Sequence, residues 1–517
     1  MFHALIILSL LCLVAARRAE QFNESLNVKL PIFTVQGAVS DNSSSVRVFR
    51  GIPYAEPPLG DLRFRPPVTK KPVSGIIDAT KYKNICPIWN QGGPSVYSEY
   101  ITGDQPYSYL EQGEDCLHVN IWTPINATYH SNLTVMIWIH GGGNTGGNAA
   151  QPFKEGTFIA QNQNVIVVSL DYRLNIFGYP GYVPAFGGSN LNPGQLDIRK
   201  AVEWTYTYIR FFGGNPESMV LFGQSAGGAN VDYYSYAWST DPLVKGFISE
   251  SGVAGSFGNF DLPGNNWTYV VDHFNCTGNQ DQQLKCLQEV PWKDLIDLSY
   301  SYNTTLNDGK KLSFGPQPDN QTIFSDYNDL RRRGQYAKGG YLTGNNANEG
   351  ESLITPFSEA SGPNQTLVYV QSDLLFNCAS NSSATERSDN ETPQWRYYYR
   401  GVWPNQNPFS WLGSYHSSEI PLIWGTAETW GGNKLGGPNT PEEAAFSRYI
   451  QKAWATFAKD PINGLSSLGW PTYNINENTL IQLAYNGSTI PQFVSPVVAD
   501  ENCTLPGHCM LIFPFQR

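Results

Sequence analysis

The five residues Gly223-Gln224-Ser225-Ala226-Gly227 constrain this chain more than any other stretch, because of where they fall. The apolar run Met219-Val220-Leu221-Phe222 leads directly into them, and small residues suited to a helix start follow. Short apolar runs of this kind suit a strand buried on both faces, so the pattern reads strand, tight turn, helix, with a serine at the turn. Such a turn forces strained dihedrals on Ser225, while the flanking glycines let neighbouring backbone pack closely. The hydroxyl then stands above the carboxyl edge of the sheet. Ser225 also sits at a helix N-terminus, where the dipole favours developing negative charge. The bland alternative is a Gly-rich turn with a serine cap, so the rest of the chain has to decide.

Further apolar runs at Val135–Ile139, Val165–Val168 and Gly246–Ile248 also suit buried strands. Between them, Leu196, Ala201, Val202, Tyr208 and Ile209 recur at helical spacing, giving a strand–helix–strand unit with parallel strands and right-handed crossovers. Thr440, Pro441 and Glu443 form a capping box opening a helix, whose stripe of Phe446, Tyr449, Ile450, Ala453, Trp454 and Phe457 packs on the sheet. The polar segments Asn303–Asn320 and Ser358–Asn390 read as loops. With no internal repeat and no low-complexity linker, residues 22–517 are expected to form one α/β domain, a mostly parallel sheet with helices on both faces.

His140-Gly141-Gly142-Gly143 follows the Val135–Ile139 strand, one strand–helix layer ahead of the serine turn. Glycines there bring backbone N–H groups close to a substrate, and with Ala226 the N–H groups of Gly142 and Gly143 are expected to hold an oxyanion. A serine hydroxyl needs an imidazole base, itself oriented by a carboxylate, in the chain order Ser, acid, His. His416, in a polar loop after the aromatic run Tyr397–Tyr399, is the best base; His273 and His508 sit where a structural role is the simpler reading. For the acid, Glu349 follows the apolar stretch Gly340–Thr343 in a Gly/Asn-rich loop, and Glu351 is its rival on spacing alone.

The N-terminus carries an apolar run, Ala4–Val14, too short to span a bilayer, and residues 1–16 read as a secretory signal peptide. Asn-x-Ser/Thr sequons recur along the chain, among them Asn126, Asn275 and Asn364, which agrees with export. Of 8 cysteines Cys12 leaves with the signal, so an odd number remains; without a C-x-x-C pair, disulfides are expected rather than a metal. A net charge of -11 gives no cationic footprint for nucleic acid or an anionic membrane. No transmembrane-length segment follows the signal, and nothing calls for a cofactor.

Gly51-Ile52-Pro53-Tyr54-Ala55, Glu114-Asp115-Cys116-Leu117, Asp171-Tyr172-Arg173 and the run from Phe212 through the elbow together resemble the type-B carboxylesterases, the group that includes cholinesterases and secreted fungal esterases and lipases. The resemblance covers the mature chain and implies an α/β-hydrolase fold with Ser225 as nucleophile, Glu349 rather than Glu351 as acid, and His416 as base. It implies disulfides Cys86–Cys116 and Cys276–Cys286, places Cys509 ahead of Cys503 as partner of Cys378, and suggests ion pairs Arg63–Glu114 and Arg173–Asp197. Departures from the family pattern are Gln224, where many relatives have Glu, and His118 in place of an aromatic. No Trp stands shortly before Cys116, so the resemblance does not extend to a cholinesterase. The stretch from Glu349 to Cys378 is shorter than in typical relatives.

The expected function is a secreted serine carboxylesterase that acts through an acyl-enzyme on small-molecule esters with short acyl or aryl groups. A lipase or sterol esterase with a lid at Cys86–Cys116 is the runner-up; a non-catalytic cholinesterase-like adhesion protein is the third reading, disfavoured because Ser, Glu and His are all kept. Polar stretches in the Cys86–Cys116 loop favour a pocket rim over a detachable flap. Oligomeric state is not legible.

Overall fold

The computed structural model describes residues 26–88, 95–101, 111–256, 265–305, 312, 314–429 and 435–503. The expected signal segment 1–16, His508, Cys509 and, in the Cys86–Cys116 loop, Trp89, Tyr107, Tyr109 and Leu110 lie outside them.

An 11-stranded sheet organises the chain. In chain order its strands are β1 (Ala38–Ser40), β2 (Ser43–Pro53), β3 (His118–Pro124), β4 (Leu133–Ile139), β5 (Ile166–Leu170), β6 (Gly214–Gln224), β7 (Gly246–Glu250), β8 (Gly340–Asn346), β9 (Gln394–Tyr399), β10 (Leu480–Leu483) and β11 (Gln492–Val494). They lie side by side as β11-β10-β9-β8-β7-β6-β4-β5-β3-β2-β1. The centre, from β5 through β10, is parallel, and antiparallel strands close both edges.

Each apolar run serves two cores at once, because alternate side chains of a strand point to opposite faces. Ile137, Ile139, Met219, Leu221 and Phe247 join Ile198, Ala201 and Val202 of α1 (Pro193–Tyr208) and Val231 and Tyr234 of α2 (Ala226–Ala237) on one face. Met136, Trp138, Val220, Phe222 and Ile248 face the other way, onto Phe446, Ile450 and Trp454 of the C-terminal helix Pro441–Lys459. This helix opens with the expected capping box, Thr440 accepting from the Glu443 N–H and Glu443 from the Thr440 N–H. The fold is therefore the expected α/β-hydrolase sheet covered on both sides.

Ser358–Asn390 is not the loop that its polar composition suggests. It holds helix Gln365–Gln371, a wider turn at Ser372–Asn377 and α3 (Cys378–Asp389). Asn364 caps the first by accepting from the Thr366 and Leu367 N–H groups, and α3 is fixed by long-range contacts that no local pattern displays. Arg387 pairs with Asp232 of α2, both almost wholly buried, and Cys378 bonds to Cys503. That bond corrects the expected preference for Cys509: the chain after Val497–Asp500 brings the Cys503 Cα to 5.3 Å from that of Cys378. Asn303–Thr305 likewise ends a helix, Trp292–Thr305. Cys86–Cys116 and Cys276–Cys286 form as the resemblance implied. No helix among the described residues is long and apolar enough to cross a membrane.

Two buried ion pairs brace the loops that approach the site. Arg63 is bidentate to Glu114 (2.7 and 2.5 Å), and Arg173 is bidentate to Asp197 on α1 (both 2.7 Å). Asp197 also accepts from the Arg173 N–H at 3.1 Å, and both side chains of this pair are buried. Removing one partner of such a pair strands the other charge, whereas removing both does not. Arg173→Met is expected to cost about 3–5 kcal/mol in urea unfolding, and Arg173→Met/Asp197→Leu markedly less. A single variant no less stable than the double would contradict this account of the pair.

Candidate active site

Ser225 is the one residue between β6 and α2, at φ 61° and ψ -129°. Its N–H donates to Glu250 O at the end of β7 (2.8 Å), and its carbonyl accepts from Ala229 in the first turn of α2 (3.0 Å). Glycine is required beside it because the helix start presses on β4: a Cβ at Gly227 would lie 2.1 Å from Ile139 O. These contacts hold a conformation that costs a serine about 1–3 kcal/mol.

The loop after β4 runs alongside. Gly142 has φ +117°, and a Cβ there would lie 2.3 Å from Gly146 O, so only glycine permits the turn. Its carbonyl points back into the loop to accept from Thr145 (3.1 Å) and Gly146 (2.8 Å). The N–H groups of Gly142, Gly143 and Ala226 donate to no other described residue, as donors kept for a ligand oxygen would. Asn144 fixes the loop: its Oδ1 accepts from Asn230 of α2 (2.8 Å) and its carbonyl from the Asn175 N–H (2.7 Å). The Tyr172 hydroxyl donates to His140 O (2.9 Å), with the two rings stacked 4.5 Å apart. Asn144 and Asn230 are clamp residues that the sequence reading missed, since a lone Asn in a Gly-rich loop carries no local signal.

Glu349 and His416 meet from the loops after β8 and β9. His416 Nδ1 lies 2.5 Å from Glu349 Oε2, and Glu349 Oε1 accepts from the Asn346 N–H (2.7 Å). Both side chains are buried. A carboxylate that accepts from Nδ1 fixes the proton there and leaves Nε2 as the basic lone pair. Glu351, the rival acid, does something else: it accepts from the Gly413 N–H (2.6 Å) and Asn348 (3.2 Å), tying the Glu349 loop to the His416 loop. His273 is far along the chain on helix Asn265–His273, exposed beside Tyr269. Nε2 of His416 faces the side-chain amide of Gln224, the residue before Ser225, at 3.0 Å.

Beneath the elbow lies a set of buried ionisable groups with no signature in sequence spacing. Glu419 accepts from Asn346 (2.5 Å), and burial, with the Glu349 charge beside it, pushes its carboxyl up to about 8. Burial likewise raises the Glu250 carboxyl well above the usual range, while Trp454 Nε1 donates to it (2.5 Å). Lys154 donates to Gln151 (2.5 Å), and burial lowers its ammonium to about 7. The His140 imidazole is lowered to about 3 by burial, so it stays neutral and structural. Among the described residues no group of three or more His, Cys, Asp or Glu side chains could hold a metal ion.

Comparison with known proteins shows the family of the chain. The model of the carboxylesterase family matches residues 24–366 and 358–497. A chlorogenic acid esterase of Aspergillus niger is 32% identical over 503 residues, covering 93% of this chain and 94% of that protein. Secreted lipase 5 of Gibberella zeae is also 32% identical, covering 93% of each. A solved PNB esterase superposes with a TM-score of 0.76 at 25% identity, over 93% of this chain and 100% of that one.

The two glutamates now separate by experiment. Glu349→Gln removes the acceptor that fixes the imidazole tautomer and is expected to lower p-nitrophenyl acetate turnover on the order of 10⁴-fold. Glu351→Gln, which loosens only the loop clasp, is expected to cost about tenfold or less. The reverse ranking would exchange their roles.

Proposed function

The chain belongs to the carboxylesterase family and is a carboxylic ester hydrolase; from that premise we propose that Ser225, His416 and Glu349 carry the reaction through an acyl-enzyme. Ser225 Oγ attacks the ester carbonyl as its proton passes to His416 Nε2, and Glu349 orients and stabilises the imidazolium. The N–H groups of Gly142, Gly143 and Ala226 receive the oxyanion. Collapse of the tetrahedral intermediate breaks the bond to the alcohol, which leaves with the proton from Nε2. Water then attacks the acyl-enzyme by the same route in reverse, freeing the acid and Ser225. The 2.5 Å contact between His416 Nδ1 and Glu349 is the observation that carries this reading.

The substrate class follows from the walls beside His416. Phe376 and Tyr97 flank its ring at centroid distances of 5.1 and 6.0 Å. Beyond them Tyr100 packs on Phe409 (4.8 Å), which stacks on Trp411 (5.2 Å). An aromatic wall suits aryl or short acyl groups. Tyr97 and Tyr100 belong to the Cys86–Cys116 loop and are tied to segments outside it, Tyr97 accepting from Ser417 (3.5 Å) and Tyr100 donating to Glu359. Such anchoring supports a fixed rim rather than the lid of a lipase. Of the two fungal relatives, one is named a chlorogenic acid esterase and the other a secreted lipase, so the choice of esterase rests on the wall and its anchoring. Three disulfides among the described residues and the apolar N-terminal run support an extracellular enzyme.

On this reading kcat/KM is highest for soluble aryl and short-chain esters and declines as the acyl chain lengthens, with hyperbolic kinetics across the solubility limit. Rates that jump above that limit, together with preference for long-chain triglycerides, would establish the lipase instead.

A further inference from the structure

β8, β9 and β10 lie parallel and side by side, so the chain leaves all three at the same edge of the sheet. There, beside the loops that carry Glu349 and His416, is a cavity of about 340 Å³ lined by Asn348, Arg400, Val402, Ser414, Tyr485 and Asn486. Asn348 and Ser414 clasp those two loops together: the Asn348 N–H donates to Ser414 O (3.0 Å), and Asn348 Oδ1 accepts from the Ser414 N–H (3.2 Å). Arg400 lies over the Tyr485 ring, 4.3 Å from its centroid, and donates to Gln482 (3.2 Å). Val402 is a large apolar side chain left 53% exposed.

Asn486 opens the sequon Asn486-Gly487-Ser488, in the short turn Tyr485–Gly487 between β10 and β11. Its φ of 52° is left-handed, a region that Asn enters more readily than most residues, and the residue is exposed. Its side-chain amide bonds to no other described residue, so Nδ2 is free to bear a sugar. The sequon at Asn390 differs on this point. Asn390 Nδ2 donates to Arg331 O (2.9 Å) and Glu386 O (2.8 Å), and a sugar on that nitrogen would break at least one of these bonds. Asn126 and Asn364 are exposed, but neither lines the cavity. A pyranose has an apolar face of C–H groups and an edge of hydroxyls. It suits a wall that combines one aliphatic side chain, a stacked guanidinium and phenol, and several hydrogen-bonding groups.

We propose that Asn486 carries an N-linked glycan whose first sugar, an N-acetylhexosamine, seats in this cavity against Val402 and the Arg400–Tyr485 pair, beside the Asn348–Ser414 clasp. This rests on the extracellular reading above, because the sugar donor belongs to the secretory route. The donor is a lipid-linked oligosaccharide diphosphate. The bond from its anomeric carbon to the diphosphate breaks, a bond from that carbon to Asn486 Nδ2 forms, and the diphosphate departs as Nδ2 gives up one proton. Nδ2 keeps one hydrogen, and Oδ1 is unchanged. The linked sugar covers Val402 and holds the turn after β10 against the loops that aim His416.

The full-length enzyme, secreted from a yeast host under its own N-terminal segment, is mapped for glycopeptides by mass spectrometry. Asn486 is expected to carry a glycan that Asn486→Asp and Ser488→Ala both lose. Endoglycosidase H, which cuts between the first two sugars, reports the seat. At Asn486 the native enzyme is expected to be cut about tenfold or more slowly than the unfolded one, because cutting there requires local opening. Glycans at Asn126 and Asn364 are expected to be cut at similar rates in both states. An unmodified Asn486 beside a glycosylated Asn126 overturns the proposal alone, and so does an Asn486 glycan cut as fast in the native enzyme as in the unfolded one. A chain that is retained in the cell with every sequon unmodified overturns the extracellular reading as well.

Discussion

Everything at this site depends on a serine held in a backbone conformation that it would not choose. At φ 61° and ψ -129°, Ser225 is stable only because β7 supplies Glu250 O to its N–H and α2 begins directly after it. Both supports belong to the parallel centre of the sheet, where β6 pairs with β7 on one side and β4 on the other. β4 in turn releases the Gly-rich loop beside the same serine. One strand neighbourhood thus positions both Ser225 and the start of the Gly-rich loop beside it.

His416 and Glu349 come from farther along the sheet, on the loops after β9 and β8, and His416 Nε2 meets Gln224, the residue before Ser225. Their loops are clasped to each other, Asn348 N–H to Ser414 O at 3.0 Å and Gly413 N–H to Glu351 at 2.6 Å, before either side chain is considered. Asn346 joins the two glutamates of this region, its N–H donating to Glu349 and its amide to Glu419. Buried polar groups are costly unless satisfied, and here they are spent on aiming one imidazole.

The layout of the sheet was legible in the sequence because fully buried strands and a small-residue turn leave strong local patterns. Ser225, the Gly-rich loop and the C-terminal capping box could each be placed from residues within a few positions of one another. Glu349 could not be separated from Glu351 by spacing, and only the resemblance preferred it; the structure distinguishes them by what each carboxylate touches. Polar composition misled at Ser358–Asn390, where a buried Arg387–Asp232 pair and the Cys378–Cys503 bond stabilise helices that propensity alone would not. The contact of Gln224 with His416 spans 192 residues and leaves no trace in local sequence.

The central claim is that Ser225 is the activated nucleophile. Its most direct test is to titrate the enzyme with a fluorophosphonate and map the adduct by peptide mass spectrometry while following residual ester hydrolysis. The account predicts one adduct per chain, on Ser225, with activity falling in step with its formation. Activity lost while Ser225 stays unmodified, or an inhibiting adduct on another residue, would contradict it.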